Sequence, residues 1–74
     1  MQLVEILQNV NSRETFFEFV SALIEDKKQS GESWENLSIE DYLDSAKSWL
    51  EDSKREDVSW KLMAEFLYCG KIYE

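Results

Sequence analysis

The chain has 74 residues and a formal net charge of −8, from sixteen Asp and Glu against eight Lys and Arg. Nucleic acids and anionic membranes recruit basic patches, so this charge predicts that neither is a partner and favours a basic protein instead. The single Cys and the lack of His exclude an internal disulfide and a histidine-ligated metal site. We therefore expect no metal and no cofactor.

A chain this short is expected to form one domain, residues 1–74, and to bury only about 60% of the surface that its unfolded form exposes. Its core must come from large side chains, which four Phe, three Trp and three Tyr supply. The first ten residues lack the basic start and the apolar length of a secretory signal. No segment approaches the ~20 apolar residues of a membrane span. With an unpaired thiol, these features predict a reducing cytoplasm.

Two helices are predicted in the first third of the chain. Residues 3–10 carry apolar side chains at helical spacing. The second helix has two candidate N-caps, Asn11, in capping-box spacing with Glu14, and Ser12. Its apolar residues span about 160° at ~100° per residue, which is wider than one packing stripe. We therefore expect the second helix to touch two neighbours and to stop at Gly31.

The third helix is predicted to begin after Ser38, its N-cap, with Leu37 packing on Tyr42 in a hydrophobic staple. Its apolar residues fall within about 120° on a helical wheel, and its acidic residues all lie outside that arc. The apolar set is Ile39, Tyr42, Leu43, Ala46, Trp49 and Leu50, and the acidic set is Glu40, Asp41, Asp44, Glu51 and Asp52.

The last helix, residues 58–69, is predicted to start at a cap on Asp57 and to stop at Gly70. It is apolar nearly all round and leaves only a narrow polar strip, where Lys61 and Glu65 form an i,i+4 pair. A helix with this pattern belongs in the middle of a bundle.

These elements predict an all-α fold, a single small bundle of about four helices with the C-terminal helix, residues 58–69, at its centre. The closing segment "KIYE" is expected to fold back so that Ile72 or Tyr73 covers an edge of the bundle.

Trp34, Trp49 and Trp60 each follow a serine, on a predicted loop, on the third helix and in the first turn of the last helix. A ligand cage of aromatic rings is one interpretation. We favour the other, in which each indole packs in the core, because so small a domain has few other ways to bury apolar surface. Such residues cost about 3–5 kcal/mol when cut to alanine. Trp34, being on a loop, is the one most suited to a separate role.

The segments "SWENLSIEDYL", "SWLED", "SWKLMAEFL" and "KIYE" resemble a family of small bacterial proteins classed only as a domain of unknown function. The resemblance covers the chain from about Phe16 to Glu74. It implies an all-helical fold and a bacterial cytoplasmic setting. It brings no activity and no catalytic residues.

Catalysis is not expected. Without His, acid–base chemistry would fall to carboxylates, Lys or Tyr with shifted pKa values, and the carboxylates here lie on predicted exposed faces. Cys69 lies on an apolar arc beside Leu62 and Phe66, which predicts a buried, unreactive thiol. No Gly-rich phosphate loop is present.

The sequence also does not fit an EF-hand calcium-binding loop. If Asp26 is the first position of an EF-hand loop, Gly31 falls at position six as required, but Lys28 and Leu37 fall at positions three and twelve. Both of those positions need oxygen ligands.

The acidic face of the third helix is the remaining candidate. Glu40, Asp44 and Glu51 line up on one side, near Lys47, and Asp41 and Asp52 flank the other. The face is either a solvated surface that keeps the protein soluble or an electrostatic docking surface for a basic protein; loose cation binding by Glu40 and Asp44 is the weaker alternative. The candidate partner-binding residues are Trp34, Glu40, Asp41, Asp44, Glu51 and Asp52.

The sequence therefore favours a monomeric, non-enzymatic module that binds another protein through the third helix. An immunity- or inhibitor-like role against a basic partner fits its size and charge. One alternative is a nucleic-acid mimic that occupies a DNA-binding protein, although the acids are concentrated in one half of the chain. Another is a structural homodimer that buries leftover apolar surface such as Phe19. An accessory enzyme is the least favoured.

Overall fold

The computed structural model describes residues 2–36 and 38–73 and contains four α-helices and, in this part of the chain, no strand. This confirms the predicted all-α class. None of the helices in the described residues is long and apolar enough to cross a bilayer. The helices are α1 (Leu3–Gln8), α2 (Arg13–Ser30), α3 (Ile39–Ser53) and α4 (Trp60–Ile72), with a short 3₁₀ helix over Gly31–Ser33.

The C-terminal helix α4 is central, as predicted. Among the described residues it is the one helix that contacts the other three, whereas α3 packs against α4 alone. Its burial is less complete than its composition predicts, because Trp60 is 37% exposed and Met63 is 41% exposed. Val58, predicted inside this helix, precedes it and is 85% exposed.

The predicted start of α4 at Asp57 is wrong. Ser59 is the N-cap, and its hydroxyl accepts a hydrogen bond of 3.0 Å from the backbone N–H of Leu62. The Asp57 carboxylate is instead 3.3 Å from the guanidinium of Arg55. Both Asp and Ser are favoured at the N-cap position. Because the Asp57 carboxylate pairs with Arg55, Ser59 caps the helix.

Gly70 does not stop α4, contrary to the prediction. The helix continues to Ile72, and Gly70 is buried inside it against the Tyr42 ring of α3. A Cβ atom at Gly70 would lie 2.9 Å from Tyr42 Cζ, closer than side-chain contacts allow. Gly70 therefore allows α3 and α4 to approach closely, because a residue without a Cβ atom leaves room for the Tyr42 ring.

Elsewhere the helix ends match the patterns more closely. Of the two candidate caps for α2, Ser12 is the one used: its hydroxyl accepts from the N–H of Thr15 at 3.2 Å, and Thr15 completes the capping box in place of Glu14. The helix ends at Ser30, as predicted, although Gly31 has φ −58° and so does not use the left-handed conformation. The predicted staple involves Leu37, which lies outside the described residues.

The core lies where α1, α2 and α4 meet. As expected, α2 contacts two neighbouring helices, α1 and α4. Phe19 of α2 has no exposed surface, so it cannot form the dimer contact considered from the sequence. The buried cluster comprises Leu7, Val10, Phe16, Phe19, Leu23, Trp34 and Ala64.

The polar strip of α4 pairs differently from the prediction. Lys61 Nζ donates a 2.8 Å hydrogen bond to the carbonyl of Gln8, and Glu65 is 2.8 Å from Arg55 Nη1. Each charged group therefore ties α4 to another segment instead of pairing along the helix. Of the two residues expected to cover an edge, Tyr73 is half-buried, whereas Ile72 is 44% exposed.

We predict that Gly70→Ala lowers the free energy of unfolding by about 1–2 kcal/mol, although the same change in an open helix raises it by about 1 kcal/mol. The reason is that the added methyl meets the Tyr42 ring. Urea unfolding measures the effect. Gly31→Ala is the matched control, because its methyl meets the flexible Lys27 side chain at 3.0 Å and that chain can move. A Gly70→Ala variant as stable as the parent would show that the ring does not restrict this position.

Candidate interaction surface

The third helix α3 is positioned as an edge of the bundle, because α4 is its one neighbouring helix in the described part of the chain. Its N-terminus is capped by Ser38, as predicted, with the hydroxyl accepting from the N–H of Asp41 at 3.1 Å. The helix ends at Ser53, and the C-cap Lys54 adopts a left-handed φ of 56° and donates its N–H to the carbonyl of Leu50. The side of α3 away from α4 therefore faces solvent.

Five of the six residues predicted to contact a partner lie on this helix, and all five are exposed. Glu40, Asp44 and Glu51 fall within about 40° of one another on the helical wheel, with Lys47 beside them. In the described residues none of these three carboxylates lies within ion-pair distance of a basic group. The exposed set is Glu40, Asp41, Asp44, Glu51 and Asp52.

The positions of these acids are only partly explained by helix stability. Glu40 and Asp41 occupy the first turn, where negative charge is favoured by the helix dipole. Glu51 and Asp52 occupy the last turn, where it is disfavoured, and no basic residue offsets them in that turn. The acidic face is therefore not fully accounted for as a way to stabilise α3.

Asp52 differs from the other four because it has an intramolecular partner. Its carboxylate accepts a hydrogen bond from the hydroxyl of Tyr73, and this bond with the nearby negative charge raises the pKa of Tyr73. Asp52 therefore fixes the C-terminal segment as well as contributing charge to the face.

Two apolar residues predicted to be buried lie beside the acidic row instead. Ile39 is 62% exposed and Leu43 is 51% exposed. On the wheel both lie between the buried Ala46 and the carboxylates of Glu40 and Asp44. Because α3 has one neighbouring helix, only the part of its apolar arc nearest α4 is covered. The acidic face thus has an apolar border that the sequence interpretation missed.

Trp34 lies beneath this surface and is not exposed on it, although it lines a depression together with Ile39 and Tyr42. Its side chain is only 8% exposed, so the structure separates it from the five exposed candidates. The indole stacks on Tyr42 with ring centroids 5.8 Å apart, and its Nε1 donates a 2.7 Å hydrogen bond to the carboxylate of Asp26. The same carboxylate is 2.7 Å from Lys71 Nζ. Trp34 is a core residue.

Trp34 is one part of a polar and aromatic cluster that joins the loop before α3 to the end of α4. Asn36 Nδ2 donates to the carbonyls of Gly70 and Tyr73 at 3.0 and 2.9 Å. The hydroxyl of Tyr42 donates to the carbonyl of Leu67 at 2.5 Å. Burial raises the pKa of Tyr42 to about 12, so the phenol stays a donor. We name this set the loop cluster: Asp26, Trp34, Asn36, Tyr42 and Lys71.

Sequence reasoning missed Asp26, Asn36 and Lys71. A signal existed for Asp26, because it continues the buried helical register of Phe19 and Leu23 at i+7 and i+3. An acid on an apolar face indicates a buried polar partner. No comparable pattern marks Asn36 or Lys71.

The other two tryptophans pack less deeply than Trp34. Trp49 is half-buried, and Trp60 packs on Phe16 with ring centroids 5.3 Å apart while staying 37% exposed. The three indoles lie at different places and do not surround a common hollow. This agrees with the interpretation of the tryptophans as packing residues.

The one thiol offers little nucleophilic character. Cys69 is half-buried, and burial, followed by the charge of Glu65, raises its pKa to about 11. Nucleophilic cysteines need the opposite shift. Within residues 2–36 and 38–73, no three acidic or thiol side chains converge to hold a metal ion.

The fold and surface define a small helical domain with an acidic edge helix. The sequence model of a family of unknown function, DUF7660, matches residues 12–74. The chain belongs to this family, which confirms the resemblance to a domain of unknown function. Comparisons with curated proteins and with solved structures give no match.

We predict that Asp26→Asn lowers the free energy of unfolding by about 1–2 kcal/mol near pH 7, since a neutral amide can accept from Trp34 but cannot attract Lys71. The hydrogen bonds from Lys71 and Trp34 hold the folded-state pKa of Asp26 below its ordinary value. This stabilisation is complete above the unfolded-state pKa of about 3.9 and is lost as the pH falls through the lower folded-state pKa.

Urea unfolding near neutrality and near pH 2.5 measures the difference. The matched control is Glu25→Gln, because Glu25 is exposed and its nitrogen partner on Lys28 is 3.9 Å away. A loss for Asp26→Asn that is equally large at both pH values would contradict the ionic origin of this stability.

We also predict that a thiol reagent modifies Cys69 at least tenfold more slowly in the native protein than in urea at the same pH, because the raised pKa and half-burial reduce reactive thiolate. A small free thiol, measured with and without urea, corrects for the effect of the denaturant on the reagent. Equal rates in the folded and unfolded chain would contradict this description of the site.

Proposed function

We propose that the protein is a non-enzymatic interaction module whose exposed α3 face binds a basic protein. The observation that supports this most directly is the row of Glu40, Asp44 and Glu51 on an edge helix. These carboxylates are exposed, and none of them takes part in the ion pairs of the described residues. A basic partner would supply the missing counter-charges.

The border formed by Ile39 and Leu43 supports protein binding over simple solvation. Interfaces combine apolar contacts with a charged rim, and the charges raise association rates and select the partner. An acidic face kept only for solubility does not need exposed aliphatic residues next to it. Both side chains are more than half exposed, at 62% and 51%.

We propose an immunity- or inhibitor-like role, in which this small monomeric acidic domain covers a basic functional surface of its partner. The support is the size and charge of the chain, 74 residues with a net charge of −8. We further propose the reducing cytoplasm of a bacterial cell as its setting. The half-buried, unpaired Cys69 is compatible with such a compartment.

We predict that reversing three acids, Glu40→Lys, Asp44→Lys and Glu51→Lys, abolishes capture of the partner from an extract of the native host. The melting temperature should change by only a few degrees, because these side chains are exposed. Capture by the parent should weaken as salt is raised, since exposed charges are screened. Quantitative mass spectrometry of the captured proteins gives the comparison.

The matched control reverses Glu5, Glu18 and Glu32, which are also exposed and lie outside α3. It makes the same change in net charge, and we expect it to retain the partner. Sedimentation of the parent at micromolar concentration checks the proposed monomer. Loss of the partner in both triple variants would assign the effect to net charge and not to this face.

A further inference from the structure

A second exposed apolar feature lies between α3 and α4. It is an open groove with a volume of 310 Å³, and every residue that lines it is apolar. Phe16 of α2, Leu50 of α3 and Phe66 of α4 contribute to it from three different helices. Val58 and Met63 line it as well and are 85% and 41% exposed. Apolar surface gathered in this way on a soluble domain is a feature of binding sites.

The groove lies next to the apolar border of the acidic face, because the groove residue Leu50 is on the same side of α3 as Ile39 and Leu43. On the α3 wheel, Leu50 lies within about 40° of Ile39 and Leu43, on the same side of the helix. The three residues therefore form one stripe that is about 16 Å long at 1.5 Å per residue and leads into the groove. The row of Glu40 and Glu51 runs beside this stripe for its whole length.

We infer that the stripe and groove receive an amphipathic basic helix of the protein partner, with its apolar side chains in the groove and its Lys and Arg on the acidic row. This inference rests on the proposed function and adds the form of the partner. A stripe of about 16 Å matches three helical turns. Amphipathic helices bind such grooves through apolar residues spaced i, i+3 or i+4, and i+7.

The charges near the groove support a basic occupant. Arg55, in the segment that precedes Val58, lies 3.3 Å from Asp57 and 2.8 Å from Glu65, so its positive charge is already compensated within the chain. Glu51, which follows the groove residue Leu50, is exposed. The exposed Lys47 lies on the helical wheel between the stripe and the acidic row, where the three carboxylates outnumber it. The surface offered to the occupant is therefore apolar along its floor and carries a net negative charge along one side.

A second copy of the chain and a small apolar ligand fit these features less well. Two copies packed through this face would bring their acidic rows together, which is repulsive. A small apolar molecule would stay largely exposed, because ligand sites bury most of their ligand and this groove is open along the side of Val58.

The inference is tested with a fluorescein-labelled helix-forming peptide of about 18 residues, with Leu at positions i, i+3, i+4 and i+7 and Lys elsewhere. Fluorescence anisotropy follows its binding to the full chain. We expect saturable one-to-one binding, and at least tenfold weaker binding by the double variant Val58→Ser, Met63→Gln. The same peptide with every Leu replaced by Ser should not bind.

The matched control variant is Val4→Ser, Ile24→Ser, which removes two exposed apolar side chains that do not line the groove. We expect it to bind the peptide as the parent does. Val58 lies outside the helices and Met63 is 41% exposed on α4, so the groove variant should keep its helical circular dichroism and its melting transition. The triple acid reversal should weaken the peptide tenfold or more at low salt.

Equal binding by the groove variant, binding of the Ser peptide, or no saturable binding at all would overturn the inference. So would a parent dimer that the groove variant converts to monomers, because a second copy would then be the occupant. If the groove variant captures the native partner and the acid reversal does not, the inference fails while the proposed function stands. If the acid reversal captures the partner normally, the proposed function itself fails.

Discussion

The carboxylate of Asp26 accepts a hydrogen bond from the Trp34 indole and forms an ion pair with Lys71, both at 2.7 Å. These two contacts join the last turns of α2 and the loop that follows it to the end of α4, which is far along the chain from both. The loop is fixed further by Asn36, and Tyr42 carries the connection into α3. The place of α3 on α4, and with it the orientation of the acidic face, depends on this arrangement.

The loop cluster also gives physical roles to the motif residues that resemble the family. In "SWEN", Trp34 and Asn36 supply the indole and the amide donors, and in "DYL" the ring of Tyr42 lies against Gly70. These roles are structural. The exposed residues of the same segments, such as Glu40 and Asp44, are the ones that a partner can contact. The core of the domain and its exposed surface are therefore formed by different side chains of these segments.

Apolar periodicity predicted the number of helices and the central place of α4, because both follow from how much apolar surface each segment must bury. It did not predict the ends of α4, since Asp57 and Ser59 both suit the N-cap position and the sequence does not show that Arg55 pairs with Asp57. The exposure of Ile39 and Leu43 was also missed. A helical wheel gives the width of an apolar arc but not the number of neighbours that cover it.

Although α3 and α4 form the most extensive helix pair in the described residues, Ala46 is the one residue of α3 that is fully buried. Segments with few buried contacts open locally more often than the whole molecule unfolds. Backbone amides in α3 should therefore exchange with solvent deuterium when α3 separates transiently from α4. Those of α4 should exchange only when the whole domain unfolds. A partner that binds to both helices would suppress this local opening, slow the exchange of the α3 amides and lengthen the lifetime of the native state.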